Sequence, residues 1–266
     1  MTTDPRAKPS YRIADDPEQT ALEAKRLEAL TASRDPATFE LLEARGIGPG
    51  WRCLEVGAGS GTVARFMGER VGNGGSVRSI DVDTRFHCEV GSNVDVVELD
   101  VVDADLGHAE FDLVHARAFL QHVEQREAIL DHMVEALRPG GWIVVQDSDW
   151  TLFLEQELPE PFRRLVQLSM QGTRTRHGWD PHVGGRLLHM LRARDLIDVD
   201  SRGIVTTMHG CTPSAEWYVG GLARAKSVHV GENDMSESEF DAAIAQARSP
   251  DFAALSPISM AAWGRR

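Results

Sequence analysis

The chain has 266 residues, 42% hydrophobic and 26% charged, with a formal net charge of −13. Those proportions describe a folded chain, long enough for one α/β domain with insertions, and not a disordered or fibrous one. The acidic balance excludes a nucleic-acid backbone or an anionic membrane surface as the main partner, because both require clustered Lys and Arg.

No run of about 18 apolar residues occurs, so no transmembrane helix is expected. The opening MTTDPRAKPS lacks the apolar core of a signal peptide. Cys53, Cys88 and Cys211 are too far apart for a zinc pattern or a disulfide framework. A reducing cytoplasm is therefore the expected compartment.

After a loosely ordered start to residue 14, two helical segments are predicted, each opened by Asp-Pro. Asp16 caps the first, with Pro17 at its first position and Leu22, Leu27 and Leu30 on one side. Asp35 and Pro36 open the second, which Gly46, Gly48, Pro49 and Gly50 end. A strand at about 52 to 57 and a helix at about 60 to 70 flank the glycine-rich stretch GAGSG. Further strands are predicted at 75 to 83, 94 to 100, 110 to 117 and 142 to 149. REAILDHMVEALRPGG, between the last two, is an amphipathic helix stopped by Pro139 and Gly140. The continuous apolar cores LVHA and IVVQ suit strands covered on both faces. Alternation of strand and helix implies a mainly parallel sheet.

Beyond residue 150 the pattern turns helical. EPFRRLVQLSM, PHVGGRLLHMLRARDL, SAEWYVGGLARAK and SESEFDAAIAQAR are predicted helices, IDVDSRGIVTTMHG a strand, and SPISMAAWGRR a last strand. The expected organisation is a helical lid over residues 1–46, a cofactor-binding core over 47–150, and the rest of the core with substrate-side helices over 151–266, all in one domain.

Gly57, Gly59 and Gly61 let the backbone take positive φ and approach a ligand. The following helix points free N–H groups at whatever sits there. A dinucleotide pyrophosphate asks for G-x-G-x-x-G, but the last position here is Thr62 and the third glycine comes one residue early. S-adenosylmethionine (SAM) carries no phosphate, and Glu55 suits its positive end. Asp81, 22 residues after Gly59, is placed to accept from ribose hydroxyls in either cofactor. Asp100 ends the third strand and is placed to accept from an adenine amine, with Asp103 and Asp105 as competing loop acids.

LEVGAGSGT, SIDVD, VELDVVDADL, FDLVHARAFLQHV and LRPGGWIVVQD stand in an order and spacing that resembles the class I SAM-dependent methyltransferases acting on small molecules. The resemblance covers roughly residues 11 to 150. It implies a Rossmann-like sheet of seven strands, the last antiparallel, with helices on both faces. It implies SAM as cofactor and S-adenosylhomocysteine as product. Gly57, Ala58, Gly59 and Gly61 would line the methionine part, Asp81 would hold the ribose and Asp100 with the amide of Val101 the adenine, with Val82 also among the cofactor-binding residues. Ala116 and Arg117 would lie beside the cofactor, and Tyr11 and Arg26 of the lid would close over it.

Methyl transfer from a sulfonium needs mainly alignment, plus a base where the acceptor is a hydroxyl or carbon acid. His122, in the loop after the fourth strand, is the candidate base, with a structural histidine as the competing reading. His115, within that strand, reads as buried and hydrogen-bonded. Asp147 and Asp149 end the fifth strand, where they either meet substrate or are solvated. HGWDPH holds His177, Asp180 and His182, but Asp180-Pro181 reads as a helix start and no metal is expected. The aromatics Trp150, Phe153, Phe162, Trp179, Trp217 and Tyr218 suggest a hydrophobic or aromatic small-molecule acceptor. The lid is a candidate pairing surface for a homodimer. A nicotinamide-dependent oxidoreductase and a SAM-fold protein that transfers no methyl group are the alternatives.

Overall fold

The computed structural model describes residues 16–102, 104–177, 179–224, 226–231 and 234–266, with the side chains of 172–177 set aside. Helix α1 (Pro17–Glu43) leads into strand β1 (Arg52–Val56) and helix α2 (Thr62–Val71). Strands β2 (Ser76–Asp81), β3 (Val94–Glu98) and β4 (Phe111–Arg117) follow, then α3 (Arg126–Ala136) and β5 (Leu137–Asp149). The remainder comprises α4 (Thr151–Leu154), α5 (Phe162–His177), α6 (Val183–Arg192), β6 (Ile197–Ile204), β7 (Thr207–His209), α7 (Pro213–Ala223), α8 (Lys226–Gly231), α9 (Glu237–Ala247), β8 (Ala253–Leu255) and β9 (Ile258–Arg265).

Seven strands form one sheet in the order β3-β2-β1-β4-β5-β9-β6, while β7 and β8 pair separately. Strands β1 to β5 run parallel, and β9 runs antiparallel to β5 and β6. This is the expected Rossmann-like sheet with its last strand reversed.

The apolar runs are buried on two faces. Leu54, Val56, Val114, Ala116, Ile143 and Val145 pack with Ile129, Leu130 and Met133 of α3 and Leu187 and Leu191 of α6. Alternate residues Cys53, Leu113 and Val144 pack with Leu41 and Leu42 of α1 and Val63, Phe66 and Met67 of α2. Period-two alternation thus serves both layers.

Three elements differ from the sequence expectation. The two N-terminal helices are a single helix of 27 residues with Pro36 inside. Proline removes one backbone bond, to the carbonyl four residues before it, but packing on both sides of it holds the helix together. Leu27, Ala29 and Leu30 join the aromatic core of the C-terminal helices, and Leu41 and Leu42 join the sheet. Asp35, expected as a cap, instead pairs with Arg117 at 2.8 Å. Helix α3 stops at Ala136, and Leu137, Arg138, Pro139 and Gly140 begin β5, where Leu137 sits beside Phe111. The strand expected over IDVDSRGIVTTMHG divides into β6 in the main sheet and β7 in the small one. Because α1 spends these apolar residues within the chain, they are not free for the dimer contact considered above. Among the described residues no helix is long and apolar enough to cross a membrane.

Candidate active site

The chain leaves β1 toward β2 on one side and toward β4, through β3, on the other. The carboxyl ends of β1 and β4 therefore flank the topological switch point, where open α/β sheets bind ligands. The glycine turn follows β1 at this crevice. Gly57, Gly59 and Gly61 all adopt left-handed φ, at +72°, +54° and +71°. Each is also closed on its Cβ side: by the Phe119 ring at Gly57, Leu27 at Gly59 and the His87 imidazole at Gly61. The Gly57 and Ala58 amides are tied to the Ile80 carbonyl at 2.9 and 3.1 Å.

Asp81 ends β2 and fastens the same turn. Its Oδ2 accepts from the Gly59 amide at 2.7 Å and its Oδ1 from the Asp83 amide at 3.0 Å. Burial nevertheless raises its pKa, with the amides opposing. Val82 is half-buried beside it. At the end of β3, Asp100 accepts from the Val102 amide at 3.1 Å and Val101 is buried. Asp105 accepts from Gly107 in the loop beyond, and Asp103 lies outside the described residues.

Glu55 does not turn toward the crevice mouth as a free acid. It is buried in the sheet, where its Oε2 lies 2.7 Å from His115 Nδ1, and His115 Nε2 lies 3.0 Å from Gln146 Oε1. The in-register pairing of Glu55 with His115 explains the contact, since directly paired residues share a sheet face. His115 is fully buried and bonded, as its strand position implied.

Ala116 is buried at the end of β4, and Arg117 reaches α1, donating to Thr38 Oγ1 at 2.9 Å and Asp35 at 2.8 Å. Arg26 donates to both oxygens of Glu23, at 2.7 and 2.8 Å, and Arg224 of α7 reaches the same carboxylate at 2.5 Å. Glu23 is 2% exposed. Arg26 of the lid and Arg117 after β4, both considered for the cofactor, therefore have acid partners inside the chain. Tyr11 lies outside the described residues.

The turn Leu120–His122 after β4 is held by Asp147, whose Oδ2 accepts from the Leu120 amide at 3.1 Å. Asp147 is the strand-end acid whose burial raises its pKa to about 8, against the pull of nearby amides and Arg126. Its Oδ1 is buried without a partner among the described residues, as are Gln121 Oε1 and Trp150 Nε1. Burial, with Arg26 and Arg224 adding to it, lowers the His122 pKa to about 3, so its ring is neutral at pH 7. His122 keeps some accessible surface although protein encloses it, and Gln121 Nε2 lies 3.2 Å from its Nε2.

Asp149 has a different role, accepting from the Thr151 amide at 2.8 Å. Asp180 pairs with Arg186 and accepts from the His182 amide, while His182 Nδ1 lies 3.0 Å from Thr151 Oγ1. Asp180 and His182 are thus engaged in local structure, while Gly178 and the His177 side chain lie outside the described residues. Trp150 meets Phe153, Trp179 and Tyr218 edge-on at 5.3, 5.7 and 5.1 Å. The expected aromatics form one cluster over the carboxyl edge.

A methyltransferase-domain family model matches residues 14–199. The chain belongs to the class I SAM-dependent methyltransferases. That membership selects SAM over a dinucleotide as the cofactor. Among curated relatives, methyltransferase str2 of Strobilurus tenacellus is 29% identical over 159 residues, covering 58% of this chain and 56% of the relative. The chain thus spans about half the length of such relatives. The cyclopropane synthase MmaA2 of Mycobacterium tuberculosis shares the fold, with a TM-score of 0.56 at 12% identity, covering 86% of this chain and 83% of that one. Phosphoethanolamine N-methyltransferase 2 of Haemonchus contortus, solved with SAM, gives 0.50 at 17% identity, over 82% of this chain and 49% of that one.

In this methyltransferase, sequence reasoning missed the roles of Glu23, Arg34, Arg224 and Gln146. Their partners are as far as 201 residues away in the chain, and no spacing rule reports such a contact. Asp147 was visible as a strand-end acid, but its burial was not.

Proposed function

We propose that the chain transfers a methyl group from SAM to a small-molecule acceptor held at the carboxyl edge of β4 and β5. The donor set suits SAM. Three left-handed glycines open the backbone, and the buried Thr62 Oγ1 at the first turn of α2 has no partner among the described residues. Bound there, SAM supplies an activated methyl group to an in-line displacement. Gly57, Ala58, Gly59 and Gly61 would hold its methionine part, with Glu55 behind the turn. Asp81 and Val82 would hold the ribose, Asp100 and Val101 the adenine, and Ala116 and Arg117 the side toward β4. Arg26, with Tyr11 ahead of it, belongs to the covering lid.

One contact carries the reading. The Phe119 ring packs on Gly57, so the turn bearing His122 abuts the cofactor turn. Asp147 fixes that turn through the Leu120 amide, and the Asp180 amide, next to Trp179 of the aromatic cluster, donates to its Gln121 carbonyl at 2.8 Å. His122 is neutral and can take a proton from the acceptor, although its depressed pKa makes it a weak base while two guanidiniums face it. Trp150, Trp179 and Tyr218 favour a hydrophobic or aromatic acceptor body.

Incubation with methyl-labelled SAM and a panel of phenolic, amine and carboxylate acceptors tests this. Formation of S-adenosylhomocysteine with a labelled small molecule is the expected result. Tight SAM binding without turnover on any small acceptor would favour a SAM-fold protein that transfers no methyl group. The fold alone does not decide the chemistry, as its sharing with a cyclopropane synthase illustrates.

A further inference from the structure

Arg34 is a buried charge that the site described above does not use. It is 9% exposed, in the middle of α1. Its Nη2 donates to the Tyr218 hydroxyl at 2.6 Å, and its guanidinium lies 5.0 Å over Trp217 and 5.9 Å from the Tyr218 ring. Its Nε is buried with no acceptor among the described residues. Among the described residues no carboxylate pairs with it. The nearby acids are engaged elsewhere: Asp35 by Arg117, and Glu23 by Arg26 and Arg224. Arg34 thus stands at this seam with neither acid as its partner, in a chain whose overall charge is −13.

A buried cation without a counter-ion is costly, and aromatic faces offset only part of that cost. The position of Arg34 says where an anion would come from. Thr38, one turn along α1, donates to the Arg34 carbonyl at 3.1 Å and accepts from Arg117 at the end of β4. Tyr218 bonds Ser148 near the end of β5 and lies edge-on to Trp150. Arg34 therefore stands over the same carboxyl edge as His122.

We propose that the methyl acceptor is an organic acid whose carboxylate is bound by Arg34, with its apolar body against Trp150, Trp217 and Tyr218. A carboxylate matches the guanidinium in geometry as well as charge. Its charge also relieves the repulsion that Arg26 and Arg224 impose on a protonated His122, which brings that ring nearer to a useful base. The proposal rests on the reading of this edge as the acceptor side of a SAM-dependent methyltransferase.

The test is calorimetric, on the full chain. S-adenosylhomocysteine is titrated first. With it saturating, 4-hydroxycinnamate and octanoate are titrated, each against its primary amide. The expected result is that at least one acid binds about tenfold or more tightly than its amide. In Arg34→Met that preference falls to about twofold or less while S-adenosylhomocysteine affinity is unchanged, and Arg34→Lys retains part of it. Equal binding of acid and amide in both pairs by the native chain overturns the proposal, whether or not the variants fold. So does a preference that survives Arg34→Met. A loss of S-adenosylhomocysteine affinity in Arg34→Met would assign the guanidinium to the cofactor carboxylate and overturn it as well. Failure of the native chain to bind S-adenosylhomocysteine at all would sink the methyltransferase reading itself.

Discussion

Replacing Asp147 by Asn separates the charge of this buried carboxyl from its hydrogen bond. Burial raises its pKa from an ordinary 3.8 to about 8. In the unfolded chain the group ionises near 4, so between about pH 4 and 8 the folded state binds the extra proton. Stability from this group is complete below pH 4 and is lost as pH rises through 8. At about 1.4 kcal/mol per pH unit, the loss reaches roughly 4 kcal/mol by pH 7 and 5 to 6 kcal/mol above pH 8. Asn keeps the shape and an oxygen for the Leu120 amide but cannot ionise. Urea unfolding at pH 5, 6.5 and 8 should show the native chain losing stability with rising pH relative to Asp147→Asn, with the variant ahead by a few kcal/mol at pH 8. Asp147→Ala, which strands the Leu120 amide, should instead lose about 1 to 3 kcal/mol already at pH 5. Parallel pH curves for the native chain and Asp147→Asn would refute the assignment of a neutral buried carboxyl.

Three further outcomes are expected. Gly61→Ala must place a Cβ at φ +71° against the His87 ring, which bonds Ser79 at 2.9 Å; calorimetry should show a loss of S-adenosylhomocysteine affinity of about tenfold or more, and denaturation a loss of about 1 to 3 kcal/mol. Glu23→Gln leaves Arg26 and Arg224 without their shared charge and should cost about 3 to 5 kcal/mol; a change below 1 kcal/mol in urea unfolding would remove the cluster from what docks α1 on α7. His122→Gln should lower turnover while sparing S-adenosylhomocysteine affinity. It should also flatten the acid limb of the stability curve, because a histidine whose pKa falls from 6.5 to about 3 on folding stabilises above pH 6.5 and loses that contribution as pH falls through 3. An unchanged acid limb would show that the ring is not enclosed.

Local chemistry made much of this protein legible from its residues alone. Apolar strand cores, turn glycines and strand-end acids are short-range signals, and five ordered blocks sufficed for the sheet, the cofactor class and the place of Asp81. What spacing could not report was which charges meet. Glu55 faces His115 because β1 and β4 are neighbours in register, and Pro36 fails to break α1 because two distant cores hold its halves. Asp147 and Asp149 are two residues apart in one strand and look alike in sequence. Only packing buries the first beneath the His122 turn and assigns the second to the Thr151 amide. The meetings of Arg34 with Tyr218 and of Glu23 with Arg224 likewise exist only once residues some 200 positions apart are brought together. Burial and long-range pairing are properties of the assembled fold, because the energy of a charge depends on what surrounds it and not on its neighbours in the chain.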